Sequence, residues 1–151
     1  MAEITFKNIL YATDFSESSV PACDYAMTLA KLSGAELFVL HVIGELSDSR
    51  RSLMPPQSLA ELEKELELHA IKQIEQFCSE RFGEQVPYQT ETVIGLPFQE
   101  ILAFAAQIKA DLIVMGTHGR TGIEKVLVGS TAERVVRRST VPVLTVQSSR
   151  Q

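Results

Sequence analysis

Residues 111–130 read DLIVMGTHGRTGIEKVLVGS. The first six, DLIVMG, hold a continuous aliphatic run ending in glycine, the pattern of a strand buried on both faces of a parallel sheet. Gly116, Gly119 and Gly122 fall within seven residues, and a Gly129–Ser130 pair closes the stretch. A helix is expected to begin at Ser130 and run to about Arg138, where STVP ends it. Strand, glycine-rich loop and helix in that order make one unit of an open α/β sheet. In such sheets ligands bind at the carboxyl ends of the strands, near the point where strand order reverses.

The same alternation extends outward along the chain. NILYAT (8–13), ELFVLHVI (36–43), YQTETV (88–93) and PVLTVQ (142–147) read as further strands. YQTETV alternates polar and apolar residues, which suits an edge strand. Between them, Ser18 or Ser19 is placed to cap a helix reaching Leu32, with Gly34 as its stop. Ser58 and Glu61 make a capping-box pattern for a longer helix carrying Leu59, Leu62, Leu66, Ala70, Ile74 and Phe77 on one stripe. Pro97 suits the first turn of another helix, with Ile101, Leu102, Ala105 and Ile108 facing inward. The order βαβαβαβαβ predicts one three-layer α/β domain over residues 1–151, with a parallel five-stranded sheet and four helices. Residues 44–57, GELSDSRRSLMPPQ, are polar with a Pro-Pro break and read as a flexible loop.

Composition narrows the function. The 151 residues are 45% hydrophobic and 22% charged, which is globular. The net charge of −5 divides into +4 from Gly116 onward and −9 before it. An acidic chain disfavours nucleic acid as the main partner, while a basic end suits a small polyanion or a solvated helix face. The N-terminus MAEITFKNIL lacks a basic region followed by an apolar core, and no apolar run approaches a membrane-spanning length. A cytoplasmic protein is expected. Cys23 and Cys78 lie far apart on predicted helices and read as buried thiols, not as a redox or metal pair.

The glycine loop fits neither familiar phosphate fingerprint. A Walker loop ends in Gly-Lys-Ser/Thr, which is not found here. The dinucleotide motif places G-x-G-x-x-G after the first strand, whereas these glycines are evenly spaced after the fourth. Glycines at 116 and 119 would permit close backbone approach and positive φ. Gly129, Ser130 and Thr131 would offer an anion the free N–H groups of a helix start. The alternative is an ordinary turn glycine followed by an ordinary helix cap.

The spacing G-x2-G-x9-G-[ST] resembles the signature of the universal stress protein family, specifically its ATP-binding branch. NILYATDFSESS resembles that family's first strand, LFVLHVI its second and VPVLTV its last, so the resemblance spans nearly the whole chain. It implies an adenine nucleotide alpha hydrolase-like fold with sheet order 3-2-1-4-5. It also implies ATP, with Mg²⁺, at a site carried over residue by residue. Thr13 and Asp14 would close the first strand, with Asp14 toward the ribose or the metal. The Val42 backbone would hold the adenine edge. Met115 and Gly116 would approach the ribose, with His118 in the adjoining loop. Gly119 and Arg120 would begin the phosphate path that Gly129, Ser130 and Thr131 continue. Ala12 stands where the family's ATP binders often carry proline. The resemblance further implies a homodimer through the last strand, at Val141, Val143, Leu144 and Val146.

Other candidates have plainer readings. His118 suits a solvated turn, His41 a packed or hydrogen-bonded position and His69 the surface; they lack zinc-ligand spacing. Arg134, Arg137 and Arg138 suit a solvated helix face. For Asp14, local capping and ligand or metal contact both stay open. Phosphoryl transfer needs a positioned nucleophile as well as charge compensation. No water-activating residue is evident, so ATP binding with slow or absent hydrolysis is expected, in a regulatory switch or sensor. A slow ATPase or nucleotidyl-transfer enzyme, and a dimeric scaffold without nucleotide, are the alternatives. A Gly129→Val substitution is expected to remove binding and leave the fold.

Overall fold

The computed structural model describes residues 2–118 and 128–148. Five strands, β1 (Asn8–Ala12), β2 (Glu36–Gly44), β3 (Tyr88–Gly95), β4 (Leu112–Gly116) and β5 (Val143–Val146), form one parallel sheet in the order β3-β2-β1-β4-β5. The alternating strand β3 lies at an edge, as its sequence requires. Strand β1 is central, with Ala12 level with Leu40 of β2 and with Met115 of β4.

Alternate residues of the sheet feed two cores. Ile9, Tyr11, Leu37, Val39, Leu112 and Val114 pack beneath α1 (Val20–Ser33) and α3 (Pro56–Arg81). Leu10, Ala12, Leu40, Ile113 and Met115 face α4 (Pro97–Gln107) and α5 (Ser130–Arg138). The inner strands β1 and β4 are buried on both faces, which is why they read as continuous apolar runs.

Helix boundaries follow the sequence in most places. Gly34 ends α1 in the left-handed region at φ 74°, and Pro97 occupies the first turn of α4. Three expectations fail. Residues 44–57 are not wholly a loop: α2 (Asp48–Leu53), capped by Ser47, lies within them and makes a fifth helix. The long helix α3 starts at Pro56, so Ser58 lies inside it and the Ser58–Glu61 capping box does not form. A proline start needs no side-chain cap, because the missing N–H is one that a first turn leaves unpaired anyway. Ser19 occupies the cap position of α1, but its hydroxyl turns to Ser16 and Thr13 instead of capping the helix. Among the described residues no helix is long and apolar enough to cross a membrane.

Candidate functional site

The carboxyl ends of β1, β2 and β4 open into a cleft of about 700 Å³. Its size lies within the roughly 300–1,000 Å³ usual for small-molecule sites. Ala12, Thr13, Asp14, Val42, Met115, Gly116, His118, Gly129, Ser130 and Thr131 all line it. The structure thus brings together the ten described positions that the sequence singled out. Gly119 and Arg120 lie outside the described residues.

One wall is the end of β1. Thr13 is buried, and its hydroxyl accepts the Phe15 N–H at 3.0 Å. The Ser19 hydroxyl donates to the Ser16 carbonyl at 2.9 Å. It is therefore left to accept from Thr13 Oγ1, also at 2.9 Å. Asp14 Oδ1 accepts the Ser16 N–H at 3.0 Å, a local turn. The cap position of α1 is Ser19, so Asp14 does not cap that helix. Asp14 also lines the cleft.

The opposite wall is the start of α5. Gly129 takes the cap position without a side-chain cap, and the first-turn N–H groups of Ser130, Thr131 and Ala132 have no helical carbonyl within reach. Such a terminus favours an anion. Ala132 and Val135 bury the other face of α5 against the core. Arg134 and Arg138 are exposed, but they are not merely solvated. Their guanidinium carbons lie 5.1 and 4.9 Å from the centre of the Phe98 ring on α4, binding α5 to α4 through cation–π contacts.

Positive φ is open to Gly116 and Gly119; of these Gly116 is described, and it does not adopt it. Gly129 does not adopt it either. Each is required by close packing. A Cβ at Gly116 would meet the Ser18 carbonyl oxygen at 2.8 Å, and one at Gly129 would meet that of Thr117 at 2.9 Å. His118 Nδ1 lies 3.0 Å from the Thr117 hydroxyl, and His69 is exposed.

The floor and roof contain residues that the sequence did not assign to the site: Leu40, Pro97, Ile101 and Ala132 supply apolar surface, and Glu133 supplies a carboxylate. These positions come from three different elements, and the periodicity of the apolar ones marks only that they face inward. Glu133 forms an ion pair with Arg137, one turn further along α5. Among the described residues no three His, Cys, Asp or Glu side chains gather as a metal site.

His41 is buried. Its Nδ1 lies 2.9 Å from the Thr13 carbonyl oxygen, and its ring centre is 4.5 Å from that of Phe15. A carbonyl only accepts, so His41 carries its proton on Nδ1 and donates. Phe15 itself has φ 62°, a left-handed conformation costly for a bulky side chain. It is held there by the His41 and Phe77 rings.

The model of the universal stress protein family matches residues 5–147. The chain is 37% identical to universal stress protein MJ0531 of Methanocaldococcus jannaschii over 153 aligned residues, covering 99% of this chain and 86% of that one. The solved structure of MJ0577, from the same organism, superposes with a TM-score of 0.87 at 32% identity, covering 98% of this chain and 100% of that one. A universal stress protein solved in complex with cAMP superposes with a TM-score of 0.65 at 28% identity, covering 96% and 99% of the two chains.

Proposed function

Because the chain belongs to the universal stress protein family, we propose that its cleft binds ATP and that the protein is a cytoplasmic, homodimeric regulatory switch with slow or absent hydrolysis. One observation carries the reading: the cleft joins Val42, near the carboxyl end of β2, to a helix start at Gly129–Ser130 that has no side-chain cap. An adenine edge fits the first and a phosphate chain the second, with the ribose between them over Met115 and Gly116. Binding by the relative that holds cAMP supports an adenine nucleotide as the ligand class.

A metal fits this site only in a limited way. Asp14 is the carboxylate at the β1 end of the cleft, and one of its oxygens is already engaged by Ser16. Mg²⁺ is commonly held by one or two carboxylates together with substrate phosphates and water. Asp14 would contribute that single ligand, and the ion would supply charge neutralisation for the phosphates. The chain's own residues orient the nucleotide: apolar Leu40, Ile101 and Ala132 exclude water from the base, and the α5 terminus receives negative charge.

The homodimer reading rests on β5. Among the described residues this edge strand pairs only with β4, and it is half-exposed at Val143 and Leu144; Val146 is already buried in the chain's own core. Pairing with a second copy would therefore use the strand's outer backbone edge more than the Val146 side chain.

Calorimetric titration with ATP, ADP and AMP, with and without Mg²⁺, tests the reading. Saturable ATP binding that weakens as phosphates are removed is expected. Absence of heat and of bound nucleotide in the purified protein would reject it, and rapid turnover lost in Asp14→Asn would reassign the site to an enzyme.

A further inference from the structure

The β1–β2 ladder stops one rung early, and the stop is built from side chains. Its last bond runs from the Thr13 N–H to the Leu40 carbonyl at 3.0 Å. In this register the N–H and C=O of every second residue of β2, including Leu40 and Val42, point toward β1. A regular continuation would join the Val42 N–H to the Thr13 carbonyl, and the Val42 carbonyl to the Phe15 N–H. Both partners are already engaged. His41 Nδ1 donates to the Thr13 carbonyl, and the Phe15 N–H donates to Thr13 Oγ1. The positive φ of Phe15 then turns the chain away from β2.

The consequence is a backbone donor and acceptor at Val42, side by side, on the lining of the cleft. We propose that His41 is a positioning residue: by holding the Thr13 carbonyl it keeps β1 from zipping onto Val42, and so presents that amide pair to a planar ligand edge. The ligand part of this rests on the adenine-nucleotide reading above; the ladder part does not. An adenine edge, with one ring acceptor beside an exocyclic donor, matches the pair. Hypoxanthine reverses both polarities and does not.

Two substitutions separate this role from simple packing. His41→Phe keeps a ring against Phe15 and removes the donor; His41→Asn restores an N–H close to the position of Nδ1. In nucleotide-free protein, amide hydrogen exchange followed by NMR should show Val42 slowed at least tenfold in His41→Phe, as its N–H takes the released carbonyl, and near wild type in His41→Asn. With nucleotide, ATP affinity should fall about tenfold in His41→Phe, while the affinities for inosine triphosphate and inorganic tripolyphosphate hold. Unchanged Val42 exchange in His41→Phe would overturn the proposal, as would equal weakening toward all three ligands. A wild-type protein that binds none of the three would reject the nucleotide reading, leaving the exchange result to decide the role of His41.

Discussion

Gly129 donates its backbone N–H to the Thr117 carbonyl across 2.5 Å, so the chain after β4 and the start of α5 are clamped together at the mouth of the cleft. The same closeness leaves no room for a side chain, because a Cβ at Gly129 would lie 2.9 Å from that carbonyl oxygen. The glycine is there for contact distance; its φ of −69° is open to any residue.

Gly129→Ala and Gly129→Val should therefore lower both stability and nucleotide affinity, and neither leaves the local fold untouched. Overpacking of this kind costs about 1–3 kcal/mol. Thermal melts alongside ATP titrations check this. Ser130→Ala, at an exposed position, should leave the melting temperature nearly unchanged and so isolates the hydroxyl's part in binding.

Glu133 places a carboxylate on the cleft beside the anion-favouring end of α5. Replacing it with glutamine should tighten ATP binding roughly threefold to tenfold, as expected for removing one like charge at a partly solvated separation. The gain should be smaller for AMP and should fade as salt is raised. Loss of the exposed Glu133–Arg137 pair should change stability by only about 0.5 kcal/mol or less. Equal effects on ATP and AMP would place the phosphates elsewhere.

Burial pushes the Cys23 and Cys78 thiols up from 9.0 to about 12. Both should resist alkylation at pH 8 in the folded protein and react once it is unfolded, since the thiolate is the nucleophile. Their protonated forms are retained in the folded state when the unfolded chain has lost them. Stability is thus fully present below about pH 9 and declines as pH rises toward 12. Burial also raises the Tyr11 phenol, which adds to the decline above its ordinary 10.0. Melting temperatures across this window should fall less steeply in a Cys23→Ala, Cys78→Ala double variant than in wild type.

On β5 the carbonyls of Pro142 and Val146 serve β4, so Val143 and Thr145 direct their backbone groups to the free edge. Thr145→Pro removes an outward N–H and is the kind of proline an edge strand accepts. Sedimentation should show the proposed dimer weakened at least tenfold while circular dichroism retains the α/β spectrum. A dimer unaffected by this change would place the subunit contact away from β5. A charge at Leu144 is a poorer probe, because that side chain packs against the core under α1.

The strands, most helices and the five-stranded α/β architecture were legible in the residues themselves. Continuous apolar runs follow from burial on both faces, and Gly34 and Pro97 mark boundaries by local backbone chemistry that needs no partner. The order 3-2-1-4-5 was legible only through resemblance, since periodicity does not say which strands are neighbours. The ten described candidate positions that line one cleft were named through the same resemblance, carried over position by position from the glycine spacing and the strand ends. The tertiary structure alone decided the rest. Gly116 and Gly129 are glycines because distant backbone presses on them, and Arg134 and Arg138 are held by a ring on another helix. His41 ends a ladder because Thr13, 28 residues away, stands beside it. Such roles depend on distances across the sheet, and the sequence states only the separation along the chain.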